Sequence, residues 1–235
     1  MRALAIVAVL ATPADAGRTH FGWFEGTDVL AERAVELQVR LTERNDLGDT
    51  RIRETAVRLG PQLGITRQLE LTLPVELVWA SAVGVEQDFA LRRYGADLRY
   101  RFTDRENALA PVAKLSITRD VVRRDVIHAE LDAALSYAVS RFYAAGSVGI
   151  VGDVNRGGLR LTLRPAFAAS IAITDELRAG VELHAELERD SGATSWIVAG
   201  PSLGWTHGRF WLSATYGFGI ENIGSAPRLV WAVAF

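Results

Sequence analysis

The sequence predicts an all-β fold: a closed antiparallel transmembrane β-barrel of about twelve strands, following a cleaved signal peptide. Three observations predict it. Apolar and polar residues alternate with period two along most of the 235-residue chain, as in strands whose two faces meet different solvents. After the first sixteen positions no apolar run approaches the roughly 20 residues that a membrane helix needs. The connections take turns between short and long, as the two ends of a membrane barrel do.

Composition narrows the function classes. A net charge of -2 gives no bulk electrostatic case for nucleic acid. Cysteine is absent, which excludes disulfides, thiolate metal sites, cysteine nucleophiles and a lipoprotein anchor. Arg2, the apolar stretch Ala3 to Ala11 and the small-x-small site Ala14-Asp15-Ala16 read as an export signal. The expected division is a signal peptide over 1–16, a periplasmic N-terminal segment over 17–30 and the barrel over 31–235. The segment carries Phe21, Trp23 and Phe24 but shows neither period. It fits a periplasmic lead-in or an insertion into the barrel mouth.

The strands follow in order. Val35, Leu37, Val39 and Leu41 face one way, with Glu36, Gln38 and Arg40 opposed; Thr55, Val57 and Leu59 return the pattern. Leu69, Leu71, Leu73, Val75, Leu77 and Trp79 make an unbroken apolar face against Glu70, Thr72, Pro74 and Glu76. Tyr94, Leu98, Tyr100 and Phe102 oppose Asp97, Arg99 and Arg101, and Leu115 and Ile117 oppose Lys114 and Ser116. Ile127, Leu131, Leu135 and Tyr137 oppose His128, Glu130, Asp132 and Ser136. An Ala- and Gly-rich stretch from Arg141 to Ile150 is weaker, with Phe142, Val148 and Ile150 outward. Arg160 and Arg164 face inward on the next strand, and Glu182, His184 and Glu186 on the one after. Two further strands, over 197–205 and 210–220, precede the last. Connections near 64–67, 139–141, 174–176 and 206–209 are short; those near 45–51, 81–88, 119–125, 152–158, 188–194 and 221–227 are expected to be longer.

Period two alone also fits a soluble sandwich or lipocalin-like barrel, whose apolar faces point inward. Aromatics near strand ends (Trp79, Tyr100, Phe102, Tyr137, Trp205, Phe210, Phe235) suit interfacial girdles. The polar face of the later strands is Gly- and Ser-rich (Gly180, Gly200, Ser202, Gly204, Ser213, Gly217), which suits a narrow lumen better than a solvated surface. In lipid an unpaired backbone group costs several kcal/mol, so the sheet must close.

The inward charges carry the functional expectation. Arg40, Arg99, Arg101, Lys114, Arg160 and Arg164 are expected to interleave with Glu36, Glu70, Glu76, Asp97, Glu130, Asp132, Glu182 and Glu186, with His128 and His184 among them. Such a lumen reads as a selective polar pore or as a salt-bridged plug. Catalysis is not expected: Ser195 has no histidine near it in sequence, and no nucleotide-binding motif is present. His128 with Glu130, and His184 with Glu182 and Glu186, could hold a metal, though hydrogen bonding within the lumen is the commoner fate. No cofactor is expected.

The final stretch, with Leu229, Trp231, Val233 and Phe235 on one strand face and Arg228, Val230, Ala232 and Ala234 on the other, resembles the terminal strand of Gram-negative outer-membrane β-barrels. In those proteins a terminal aromatic with apolar residues at every second position marks the chain for insertion. The resemblance implies the outer membrane as location, its lipid and the barrel-assembly machinery as partners, and these four residues as the insertion signal. The whole mature chain resembles the smaller porin-like barrels. The stretches Glu25-Gly-Thr27, Arg58-Leu-Gly60, Leu63-Gly-Ile-Thr66 and Gly200-Pro-Ser202 look like those of outer-membrane transporter families linked to aromatic-compound uptake. That resemblance implies passage of a small molecule. The second reading is a non-conducting structural or adhesive barrel that displays its loops.

Overall fold

A computed structural model describes residues 20–48, 51–82, 85–86, 89–104, 106–189 and 193–235. The signal-peptide reading of 1–16 lies outside them. The strands are β1 (Val35–Asn45), β2 (Arg53–Gly64), β3 (Leu69–Thr72), β4 (Val75–Ala82), β5 (Val85–Glu86), β6 (Ala90–Arg101), β7 (Leu109–Asp120) and β8 (Ile127–Val139). They continue as β9 (Phe142–Asn155), β10 (Gly158–Ala172), β11 (Leu177–Glu188), β12 (Trp196–His207), β13 (Phe210–Glu221) and β14 (Ser225–Ala234).

Every pairing among the described residues is antiparallel, and β1 pairs with both β2 and β14. The closing seam runs from Glu36 opposite Ala234 to Asn45 opposite Ser225, so the first and last strands cover each other's edges. Twelve staves result, because β3 and β4 form one and β5 is a short addition paired only to the end of β4. The break in that stave falls at Leu73-Pro74. Proline has no N–H for the ladder, and its carbonyl instead accepts the N–H of Gly95 at 3.1 Å.

The alternation of the sequence becomes an outside and an inside. Outward residues such as Leu131 (59% exposed), Leu159 (58%) and Val181 (57%) sit beside the inward Glu182 (4%), Ser202 (6%) and Ser213 (0%). Leaving such an aliphatic side chain in water forgoes roughly 1.5–3 kcal/mol each. A belt of them around the whole barrel belongs in hydrocarbon, with the polar faces enclosed. Tyr100, Phe102, Tyr137, Trp205 and Phe235 are on this exterior, and Leu229, Trp231 and Val233 share the outward face of β14 with Phe235.

Two connections differ from expectation. The links between β9 and β10 and between β13 and β14 are tight turns, not long loops: β9 runs to Asn155 and β10 starts at Gly158, while β14 starts at Ser225. Asp153 and Val154 continue the alternation into what read as loop, pairing with Arg160 and Leu159. Asn222 adopts a left-handed conformation (φ 52°) that closes the second turn. The end carrying the longer connections at 46–52, 83–89, 121–126 and 189–195 is called the loop end below, and the opposite one the turn end.

Candidate functional site

The lumen is not empty at the turn end. Residues 20–34, which carry no strand, enter beside β12, reach mid-barrel at Trp23 to Gly26 and return to the start of β1. Of the two placements open for this segment, its described part takes the insertion.

Its seat is the wall of small residues. Phe21 and Phe24 pack with Tyr143, Ala145 and Ala168 of β9 and β10. Trp23 packs with Trp196, Val198, Ile223 and Ala226, and Leu30 with Trp211, Val230, Ala232 and Ala234. Gly204 makes room for this segment: the backbone of His20 lies 3.1 Å from where a Cβ on it would stand. The indole N–H groups of the two inward tryptophans are satisfied, Trp196 by Glu186 at 3.1 Å and Trp211 by Glu36 at 3.0 Å.

Charged groups hold the backbone of the segment. The Glu182 carboxylate accepts three successive N–H groups, those of Gly22, Trp23 and Phe24, each at 2.8 Å. It also accepts the Thr215 hydroxyl. Gly22 is required by close approach, since a Cβ there would stand 2.8 Å from Thr215 Oγ1. Glu70 accepts the N–H of Leu30 at 2.8 Å, and Arg99 donates to the carbonyl of Gly26 at 2.7 Å. Asp28 pairs with Arg101 at 2.6 Å, and Thr27 shares a hydroxyl contact with Ser136.

Glu25, at the tip, joins the segment to the opposite wall. Its oxygens lie 2.7 Å from Arg40 and 2.7 Å from Lys114. Burial by itself raises the Glu25 carboxyl, yet Lys114, Arg40, Arg58 and Arg99 together hold it well below the usual carboxylate range. Lys114 also meets Glu130 at 2.7 Å and Asp132 at 3.3 Å, and Glu130 pairs onward with Arg164. Around these, Glu76 holds Arg93 at 2.7 Å and Arg92 at 3.7 Å, while Asp97 pairs with Arg58 and accepts Ser116 at 2.6 Å.

The structure thus places the expected inward residues on the lumenal face, but regroups them. His128 pairs with Asp153 across β9 and approaches Asp120 at 3.7 Å, rather than joining Glu130. Glu182 serves the inserted backbone and His184 stacks on Trp23 at 4.6 Å, so neither histidine trio assembles; no metal-holding cluster is found among the described residues. Arg160 lies near the loop end, 3.9 Å from Glu188. The Ser195 hydroxyl accepts the N–H of Glu188 at 2.9 Å. Sequence reasoning missed Glu25, Asp28, Arg44, Glu54, Arg58, Arg92, Arg93 and Arg228 as members. Parity along β1, β2 and β14 marks Arg44, Glu54, Arg58 and Arg228 as inward. Glu25 and Asp28 had no such signal, because their segment has no period.

Above the segment, toward the loop end, a cavity of about 190 Å³ remains. The residues around it include nine Lys or Arg and five Asp or Glu, and most of the cations are paired with carboxylates of the wall.

An apolar exterior, a polar lumen and twelve closed staves define the class: a transmembrane β-barrel with a porin-like fold. Among solved structures the chain is similar to an outer membrane channel from Pseudomonas putida F1, with a TM-score of 0.63 and 11% identity over 89% of this chain and 98% of that one. It is similar also to NanC porin (TM-score 0.57, 10% identity, 85% and 98% covered) and to KdgM porin (0.54, 10%, 85% and 99%). At such identities the likeness is one of fold. No protein-family model matches the sequence, and no curated protein does.

Proposed function

We propose that the protein is a porin-like channel for small solutes, closed at the turn end by residues 20–34 until that segment shifts. The observation that carries this reading is the lumenal cavity with charged walls, whose floor is the inserted segment and not the barrel itself. A floor held by side-chain packing, hydrogen bonds and ion pairs can open without unpairing any stave. The lumen residues, from Glu36 and Arg40 through Lys114 to Glu186, then act as lining and as latch together. The solute is a small molecule, and the activity is passage without a reaction.

The native chain has no cysteine, which allows a reversible test. Thr27 and Ser136 touch through their hydroxyls; replacing both, Thr27→Cys with Ser136→Cys, ties the segment to β8. In planar bilayers the oxidised protein should be silent, and reduction should restore conductance steps. Steps of equal size in both states remove the gating role. No steps in the wild type or the reduced variant remove the channel and leave the loop-displaying barrel standing.

A further inference from the structure

We propose that the lumen contains a binding station for a small monocarboxylate, formed by Arg228, Trp23, His184 and Thr42. It deepens the channel reading by naming the class of solute.

Most cations around the cavity already hold a carboxylate at ion-pair distance, as Lys114, Arg40 and Arg93 do. Arg228 differs. Its Nε donates to Thr42 Oγ1 at 2.9 Å, and its guanidinium lies 3.5 Å over the Trp23 ring. Among the described residues no carboxylate oxygen lies within 4.0 Å of it, and its terminal nitrogens find no acceptor. Arg178 sharpens the contrast: it too lacks a carboxylate, but Ser170 Oγ and the Arg141 carbonyl take its donors at 3.2 and 3.0 Å. A guanidinium is always charged and offers a planar fork that fits a carboxylate through two parallel hydrogen bonds.

A second observation lies on the same indole. The His184 ring stacks on Trp23 at 4.6 Å and 23°, and both of its nitrogens are buried without a hydrogen-bond partner. All four residues border the cavity. Apart from Thr42 Oγ1 and the Glu186 carboxylate at 4.0 Å, the donors of the cluster meet no acceptor oxygen among the described residues, and a carboxylate supplies two such atoms. Trp23 is sandwiched among these groups and holds the Arg228 guanidinium and the His184 ring side by side.

The surroundings limit the charge. Glu186 stands 4.0 Å from His184 Nε2, Glu182 accepts the N–H groups of Gly22, Trp23 and Phe24, and Glu25 follows two positions after Trp23. A dianion meets these carboxylates at close range, whereas a monoanion matches the single uncompensated cation.

The test uses the full chain in detergent micelles, with tryptophan fluorescence followed against potassium acetate, potassium chloride at matched ionic strength, and inorganic phosphate. Acetate should give a saturable change that chloride and phosphate do not. Arg228→Gln should weaken it at least tenfold and His184→Phe several-fold, while Arg119→Gln, on the outward face of β7, should leave it intact. A wild type with no saturable acetate response, an equal response to phosphate, or a response undiminished in Arg228→Gln overturns the station. Should Arg228→Gln fail to fold, His184→Phe decides the same way. Bilayer recordings separate the two readings: conductance with no acetate response removes the station alone, and acetate binding without conductance removes the channel alone.

Discussion

Strands β6 to β8 and strands β11 to β14 line one lumen, yet they fill it by different means. The first wall sends in long charged chains, Arg99, Lys114, Glu130 and Asp132, which meet one another and the tip of the inserted segment. The second sets Gly, Ser and Ala among a few larger groups, and lets the segment itself complete the packing through Trp23 and Leu30. A charged wall must satisfy every member, because an orphaned buried charge costs more than the pair contributes. A wall of small residues only needs a shape to fill it. The difference teaches where motion is cheap: the segment can leave the small wall as a unit, whereas the charged wall is tied residue to residue.

The comparison can be broken most forcefully at Lys114. Replacing it, Lys114→Met, strands Asp132 and leaves Glu25 and Glu130 only Arg40 and Arg164, and should cost about 3–5 kcal/mol. Heat-dependent migration of the folded barrel on gels would report this, and an unchanged unfolding temperature would mean that the charged wall does not depend on its centre. On the outer side of the neighbouring strand β8, Leu131→Arg should destabilise by about 2–4 kcal/mol in a bilayer, read by urea titration in liposomes. A null result there would deny the outward face its hydrocarbon.

The small wall is probed at Glu182. Glu182→Gln keeps one acceptor oxygen but loses the charge that gathers three N–H groups. It should release the segment by about 1.5–3 kcal/mol with little change in barrel stability. Faster amide exchange confined to Gly22, Trp23 and Phe24 would confirm it; exchange spreading through β11 would contradict it.

Acidity gives the smallest and most graded test. Because the docked Glu25 carboxyl titrates well below its free value of about 4.3, its contribution to docking is complete above that pH. It is lost only as pH falls through the lowered docked value. Segment docking should therefore hold from pH 7 to about 5 and weaken below about pH 4. Protease access to residues 20–30 against pH measures this, and Glu25→Gln should flatten the curve. Release centred near pH 6 would place the latch elsewhere.

How much of this could be read in advance follows from which physics leaves a period in the sequence. Each stave separates oil from water residue by residue, so Leu131 and Asp132 announce their faces without any knowledge of partners. Closure followed from the same fact. The loops after β9 and β13 were misjudged because Gly152 and Pro227 look like turn residues, although both sit within paired strands. The inserted segment was hardest. Its backbone is held by Glu182 and Glu70, side chains 158 and 40 positions away from the amides they accept, and such partners leave no local trace. Arg228 had the right parity, but its lack of a carboxylate is visible only once every other inward charge has been placed.

The seam between β1 and β14 has a consequence for how the molecule is made. Leu30 rests on Val230, Ala232 and Ala234, and Gly22 hydrogen-bonds to Thr215, 193 positions later. The first described residues thus have no complete seat until the last strand has joined the first. Contacts so distant along the chain form late. A growing sheet keeps an open, unstoppered interior through assembly, and the stopper goes in only when the wall is whole.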